Sequence, residues 1–183
     1  MLPCSVVCLA LGEPRSTLVR WEELGLFSPD EKGHTGPLCG DSFSYSTCRR
    51  LAMLSAWKHV GASSEFLRQV AADMIDADEA RSKKILNLPP YTSEQIVAQV
   101  ERYTAKLPFR WPGLETVLLA YFARISALQQ LCVIEREVSA KYTYQYEFPG
   151  SASAPPVKLP PPAKRAKEMA DILQSRLQRR AQA

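Results

Sequence analysis

Gly12-Glu13-Pro14 constrains this chain more than any other stretch, because no single helix runs through it. Glycine favours the left-handed backbone that closes a helix, and proline lacks the N–H that a helix interior uses. Upstream, Cys4, Val7, Cys8 and Leu11 recur at helical spacing and share one face. Downstream, Leu18, Trp21 and Leu24 lie three apart, and Gly25 stops the run. Pro14 suits the first turn of the second helix, where its missing N–H costs nothing. The spacing predicts helices over about residues 4–11 and 15–24, joined by a tight turn.

The rest of the chain reads as more short helices. Residues 28–42 hold Ser28-Pro29, Gly33, Gly36, Pro37 and Gly40, with Leu38 the only aliphatic side chain. That composition predicts a loop, or a small hairpin with a long tip. Ser44 is a candidate N-cap for a helix running to about Val60, with Leu51, Leu54 and Trp57 on its apolar face and Gly61 at its end. Ser63 or Ser64 opens the next, striped by Phe66, Leu67, Val70, Met74 and Ile75, and the polar run Asp76 to Lys84 reads as its solvated continuation. Pro89-Pro90 breaks the chain. Thr92 to Gln95 has the form of a capping box, followed by Ile96, Val100, Tyr103 and Leu107. A long helix is expected from Leu114, where Leu114, Leu118, Tyr121, Ile125, Leu128 and Cys132 keep heptad spacing. The alternating Tyr142, Tyr144 and Tyr146 suggest an extended end.

Composition divides the chain. Much of its content of 14 prolines falls between Pro149 and Pro162, which predicts a linker. From residue 149 on, Lys158, Lys164, Arg165, Lys167, Arg176, Arg179 and Arg180 face only Glu168 and Asp171, so this segment carries +5, which against the formal total of +4 leaves −1 for the rest. The preceding body is close to neutral. No continuous apolar run approaches a membrane span, and the apolar start has neither the basic residue before it nor the cleavage site after it that a secretory leader shows. The expected location is the cytoplasm.

An odd count of 5 cysteines argues against a disulfide framework. Cys4 and Cys8 suit small core side chains. His34, Cys39 and Cys48 are the sharpest metal candidates, but no CxxC pair supports them, and no metal or cofactor is expected. His34 and His59 lie in different elements, and no nucleophile elbow, phosphate loop or HExxH motif occurs. Asp73, Asp76, Asp78 and Glu79 read as a solvated acidic face. The chain is not expected to be an enzyme.

Helix, tight turn, helix is the helix-turn-helix plan, in which the second helix enters the major groove of DNA. The order of signals over residues 5–75 goes further. Ser16-Thr17-Leu18, Trp21-Glu22-Glu23, Gly25-Leu26-Phe27-Ser28-Pro29, Phe43-Ser44, Arg49-Arg50-Leu51 and Val60-Gly61 followed by Ser63 resemble the N-terminal domain of the MerR family of transcriptional regulators. The Trp-Glu pair also resembles excisionase-like proteins. Val19 stands where the family usually has Arg, and Asp41-Ser42 stands where its wing usually has one.

The resemblance implies a mostly α fold: an N-terminal winged helix-turn-helix with a small β wing, then a helical, coiled-coil-like dimerisation module. The segments are residues 1–86 for DNA, 91–148 for dimerisation or effector response, and 149–183 as proline-rich linker and basic tail. Arg15, Ser16, Thr17 and Arg20 would meet the major groove, with Lys32, Arg49 and Arg50 on the backbone. Trp21 suits a core position better than a base-stacking one. Leu114, Leu118, Tyr121, Ile125 and Leu128 would pair two copies, or equally would pack as a core helix on residues 92–107 of the same chain. The implied partners are double-stranded DNA and a second copy of the chain; the charge of the basic tail leaves three readings, a clamp on DNA phosphate, a dock for another protein, or a solvated tail. The implied function is sequence-specific transcriptional regulation. Two alternatives stand beside it: a phage or mobile-element protein for excision, partition or packaging-site recognition, and a protein–protein adaptor that has lost DNA binding.

Overall fold

A computed structural model describes residues 1–33, 38, 40–73, 78–107, 112–147 and 162–182. These residues are mostly helical, with one small sheet. In chain order they form β1 (Leu2–Pro3), α1 (Cys4–Leu11), α2 (Arg15–Glu23), β2 (Ser42–Phe43), α3 (Tyr45–His59), α4 (Ser64–Asp73), α5 (Glu79–Leu86), α6 (Ser93–Thr104), α7 (Leu114–Glu147) and α8 (Pro162–Gln182).

The local signals account for the helix ends. Gly12 adopts φ 67° at the end of α1, and its N–H bonds back to α1 carbonyls. The Ser44 side chain accepts from the Thr47 N–H, as an N-cap should. Thr92 and Gln95 form the complete capping box on α6. β1 and β2 pair antiparallel, Leu2 opposite Phe43, and Glu31 forms a bridge to Ser42. The segment after α2 therefore returns along the same edge that begins the chain.

Several expectations change. The acidic-basic run expected to continue α4 as one solvated helix instead opens a separate one: Asp78 has a non-helical backbone and starts α5 by accepting the Ala80 N–H. One face of α5 is covered, with Ser82 and Leu86 fully buried. The tyrosine-rich end of α7 is helical, because the alternation there is weaker than the helix it extends. Met74, Ile75, Asp76, His34, Cys39, Phe109 and Trp111, and the linker at 148–161, lie outside the described residues.

The larger correction concerns α7. Residues from Leu2 to Leu173 join in one hydrophobic cluster, and α7 packs against α1, α3, α5, α6 and α8. The expected boundary near residues 86–91 does not separate two cores. Leu118, Tyr121, Ile125 and Leu128 are buried within their own chain, and Leu114 is half-buried. They are core residues of one copy rather than an open dimerisation seam, because α1, α3 and α6 already cover them. By length and composition Leu114–Ala140 is also apolar enough to cross a membrane: an 18-residue window within it has a mean hydropathy of 1.6, and 67% of that window is buried in the fold. Polar residues such as Arg124, Ser126 and Gln129 interrupt the run in the sequence, so it reads there as several short apolar stretches.

The C-terminal segment is docked as well. Met169 and Leu173 of α8 are buried against α1 and α7. Arg165 donates to Ser139 Oγ at 2.7 Å, and Arg176 donates to Glu137 Oε2 at 2.7 Å. Two of the tail's cations are thus paired within the chain, while Lys164, Lys167 and Arg179 face solvent.

Candidate nucleic-acid interface

α2 has two unlike sides. Leu18 and Trp21 are 0% and 4% exposed and anchor the helix in the core. Arg15, Ser16 and Arg20 are exposed, and Thr17 and Val19 are half-buried. Burying roughly two large side chains on so short a helix is worth a few kcal/mol, enough to hold it without help from its own propensity. Arg15, Ser16, Val19, Arg20 and Glu23 line a shallow recess on the outer side. The four groove-facing candidates therefore fall on one helix, three of them open to solvent. Trp21 belongs to the core.

The outer side is not uniformly basic. Glu23 shares the recess with the two arginines. Lys32 is exposed but lies 3.6 Å from Glu22, a surface pair of small energetic weight.

Arg49 does not face the solvent expected for a phosphate contact. It is half-buried, and its Nη1 donates to Ser82 Oγ at 2.9 Å. α5 and α7 pack over this side of α3, so Arg49 serves the interior. Arg50 is half-buried too. The start of α3 is also covered: Glu79 of α5 accepts from the Tyr45 and Ser46 N–H groups at 3.1 and 2.7 Å, and Asp30 accepts from the Ser44 N–H at 2.8 Å. Carboxylates at a helix start offset its partial positive charge.

A polar cluster that sequence reasoning missed lies behind α2. Glu13, in the corner between α1 and α2, is 9% exposed. Its Oε1 accepts from Ser55 Oγ at 2.7 Å, and its Oε2 pairs with Lys58 Nζ. Lys58 Nζ also lies 3.3 Å from Thr17 Oγ1 and 5.9 Å from the Trp21 ring centroid. From α7, Arg124 Nε donates to Ser55 Oγ at 2.6 Å. Burial pushes the Arg124 guanidinium below its ordinary value, and the Glu13 carboxylate opposes that. Only the position of Glu13 in a two-helix corner hinted at this role, since its partners lie far along the chain.

The described thiols, Cys4, Cys8, Cys48 and Cys132, belong to the core. Cys4 and Cys8 are buried with their Sγ atoms 3.7 Å apart. Burial raises Cys48 well above the ordinary thiol range and pushes Cys132 up to about 12. Among the described residues, no three of His, Cys, Asp and Glu converge as a metal site would require.

Compared with known protein families, curated proteins and solved structures, the chain matches none.

Proposed function

We propose that the protein is a sequence-specific binder of double-stranded DNA that regulates transcription, and that α2 is the helix that enters the major groove. The observation that carries this reading is the division of α2: Leu18 and Trp21 hold it from behind, while Arg15, Ser16 and Arg20 project outward together. Arginine can bond guanine in bidentate fashion, and hydroxyls can bond phosphates or base edges. The short corner at Gly12–Pro14 and the return of residues 28–43 beside β1 support the finer description, a helix-turn-helix with a small wing. Lys32 and the exposed cations of α8 are the backbone contacts in this reading, and Arg49 is not among them.

The heptad stripe of α7 is covered within the chain, so pairing of two copies on DNA would use another surface. Sedimentation of the protein with and without bound DNA measures whether such pairing occurs. A mobile-element role in excision, partition or packaging uses the same interface, and a neighbouring integrase, terminase or partition ATPase gene would favour it.

The adaptor reading draws on a separate observation, that Glu23 shares the recess with the arginines and that Arg49 is engaged internally. A mobility-shift series on duplex DNA at rising salt separates the two. A DNA binder loses affinity steeply as salt displaces its phosphate contacts. Absence of binding by folded protein at low salt favours the adaptor.

A further inference from the structure

Glu13, Ser55, Lys58 and Arg124 come from three parts of the chain and meet behind α2. Ser55 is 0% exposed, so each atom of its hydroxyl needs a partner inside the protein. The hydroxyl has one proton to give. Arg124 Nε, at 2.6 Å, occupies a lone pair of Ser55 Oγ and leaves that proton to Glu13 Oε1 at 2.7 Å. The other carboxylate oxygen of Glu13 holds Lys58 Nζ, which reaches Thr17 Oγ1 and stands over Trp21. The donors converge on the Glu13 carboxylate from two sides, from α7 through Ser55 and from Lys58 of α3, and Lys58 also donates onward to Thr17 of α2.

From this geometry we infer that Arg124 and Glu13 are positioning residues for the outer side of α2: the Arg124–Ser55–Glu13–Lys58–Thr17 chain fixes the pose in which α2 meets DNA. The inference rests on the DNA-binding reading of α2. Apolar packing by Leu18 and Trp21 keeps α2 on the core but allows small rotations and slides. The directed hydrogen bonds remove that freedom, because a buried carboxylate tolerates no position in which it lacks its donors. Base contacts demand such accuracy more than phosphate contacts do, so the effect belongs to specificity.

The test uses the full chain with Arg124→Met, which keeps length and removes every donor, and Ser55→Ala, a smaller change that still breaks the chain if the first variant folds poorly. Arg176→Met, which breaks the α8 pair with Glu137, is the control. Amide hydrogen exchange is read without DNA across the corner, where Glu13 N–H bonds Cys8 O and Thr17 N–H bonds Pro14 O. Both test variants should exchange faster there, while α6 and the control do not change. Affinity for a DNA fragment selected by the wild-type protein should fall roughly tenfold in Arg124→Met, the size of effect a remote coupled residue can have. Affinity for random duplex should fall less than threefold, since phosphate contacts tolerate a shifted helix. Unchanged exchange at the corner, or equal loss on both DNAs, overturns the inference. Wild-type protein that binds no duplex at all overturns the functional reading instead, and the exchange result still decides whether the chain of bonds holds the corner.

Discussion

α2 and α7 are opposite solutions to placing apolar helix surface. α2 buries two large side chains and leaves its polar side in solvent, whereas α7 is covered on most of its circumference by α1, α3, α6 and α8. A short helix held at one edge can present residues to a partner, and a long helix surrounded by others can only hold the molecule together. Substitutions in the two should therefore separate binding from stability.

The largest effect is expected at α7. Leu128 is 0% exposed, and Leu128→Ala should destabilise the protein by about 2–5 kcal/mol through lost burial and a cavity. Chemical denaturation measures this, and the DNA affinity of the folded fraction should stay near that of the wild type. If Leu128→Ala costs little stability but changes the oligomeric state, the stripe is an interface after all and the contrast fails. At α2 the pattern should invert. Arg20→Ala should weaken binding to the preferred site by about 1–3 kcal/mol. Its folding stability should change by no more than about 0.5 kcal/mol, as at other exposed positions. Equal loss on all sequences would make Arg20 a phosphate contact.

Gly12→Ala probes the corner between them. Gly12 has φ 67° and nothing within 4 Å of an added Cβ, so the cost is backbone strain alone, about 1 kcal/mol. A much larger loss by thermal denaturation would mean that the corner is sterically crowded. The smallest and broadest effect is on pH dependence. The folded value of Cys132 lies near 12, above the thiol's ordinary 9.0, because burial disfavours the thiolate. Its contribution to stability is complete below pH 9 and is lost as pH rises toward 12, since the unfolded chain ionises first. Cys48 and Tyr121 shift the same way. The unfolding midpoint should fall through that window, and Cys132→Ser should reduce the fall.

The sequence made local structure legible and long-range structure much less so. Gly12, Ser44 and the Thr92–Gln95 box mark helix ends because their effects act within a few residues. The exposed side of α2 was legible for the same reason, as Arg15, Ser16 and Arg20 alternate with Leu18 and Trp21. The role of α7 stayed open between a dimer seam and a core helix of one chain, because a heptad stripe says that a surface is covered without saying by what. Val117, Phe122 and Leu131 carried the corrective signal: they widen the apolar surface beyond a narrow coiled-coil seam, and all three are buried. The inward turn of Arg49 and the bonds joining Glu13, Ser55 and Arg124 depend on residues far apart in the chain, which no local pattern reveals.

The central claim is that the outer side of α2 reads duplex DNA. Its most direct test is selection from a random duplex pool, comparing wild-type protein with an Arg15→Ala/Arg20→Ala double variant of unchanged thermal stability. The account expects the wild type to enrich a defined sequence and the double variant to lose that enrichment. Enrichment of the same sequence by both proteins, or of none by either, would contradict it.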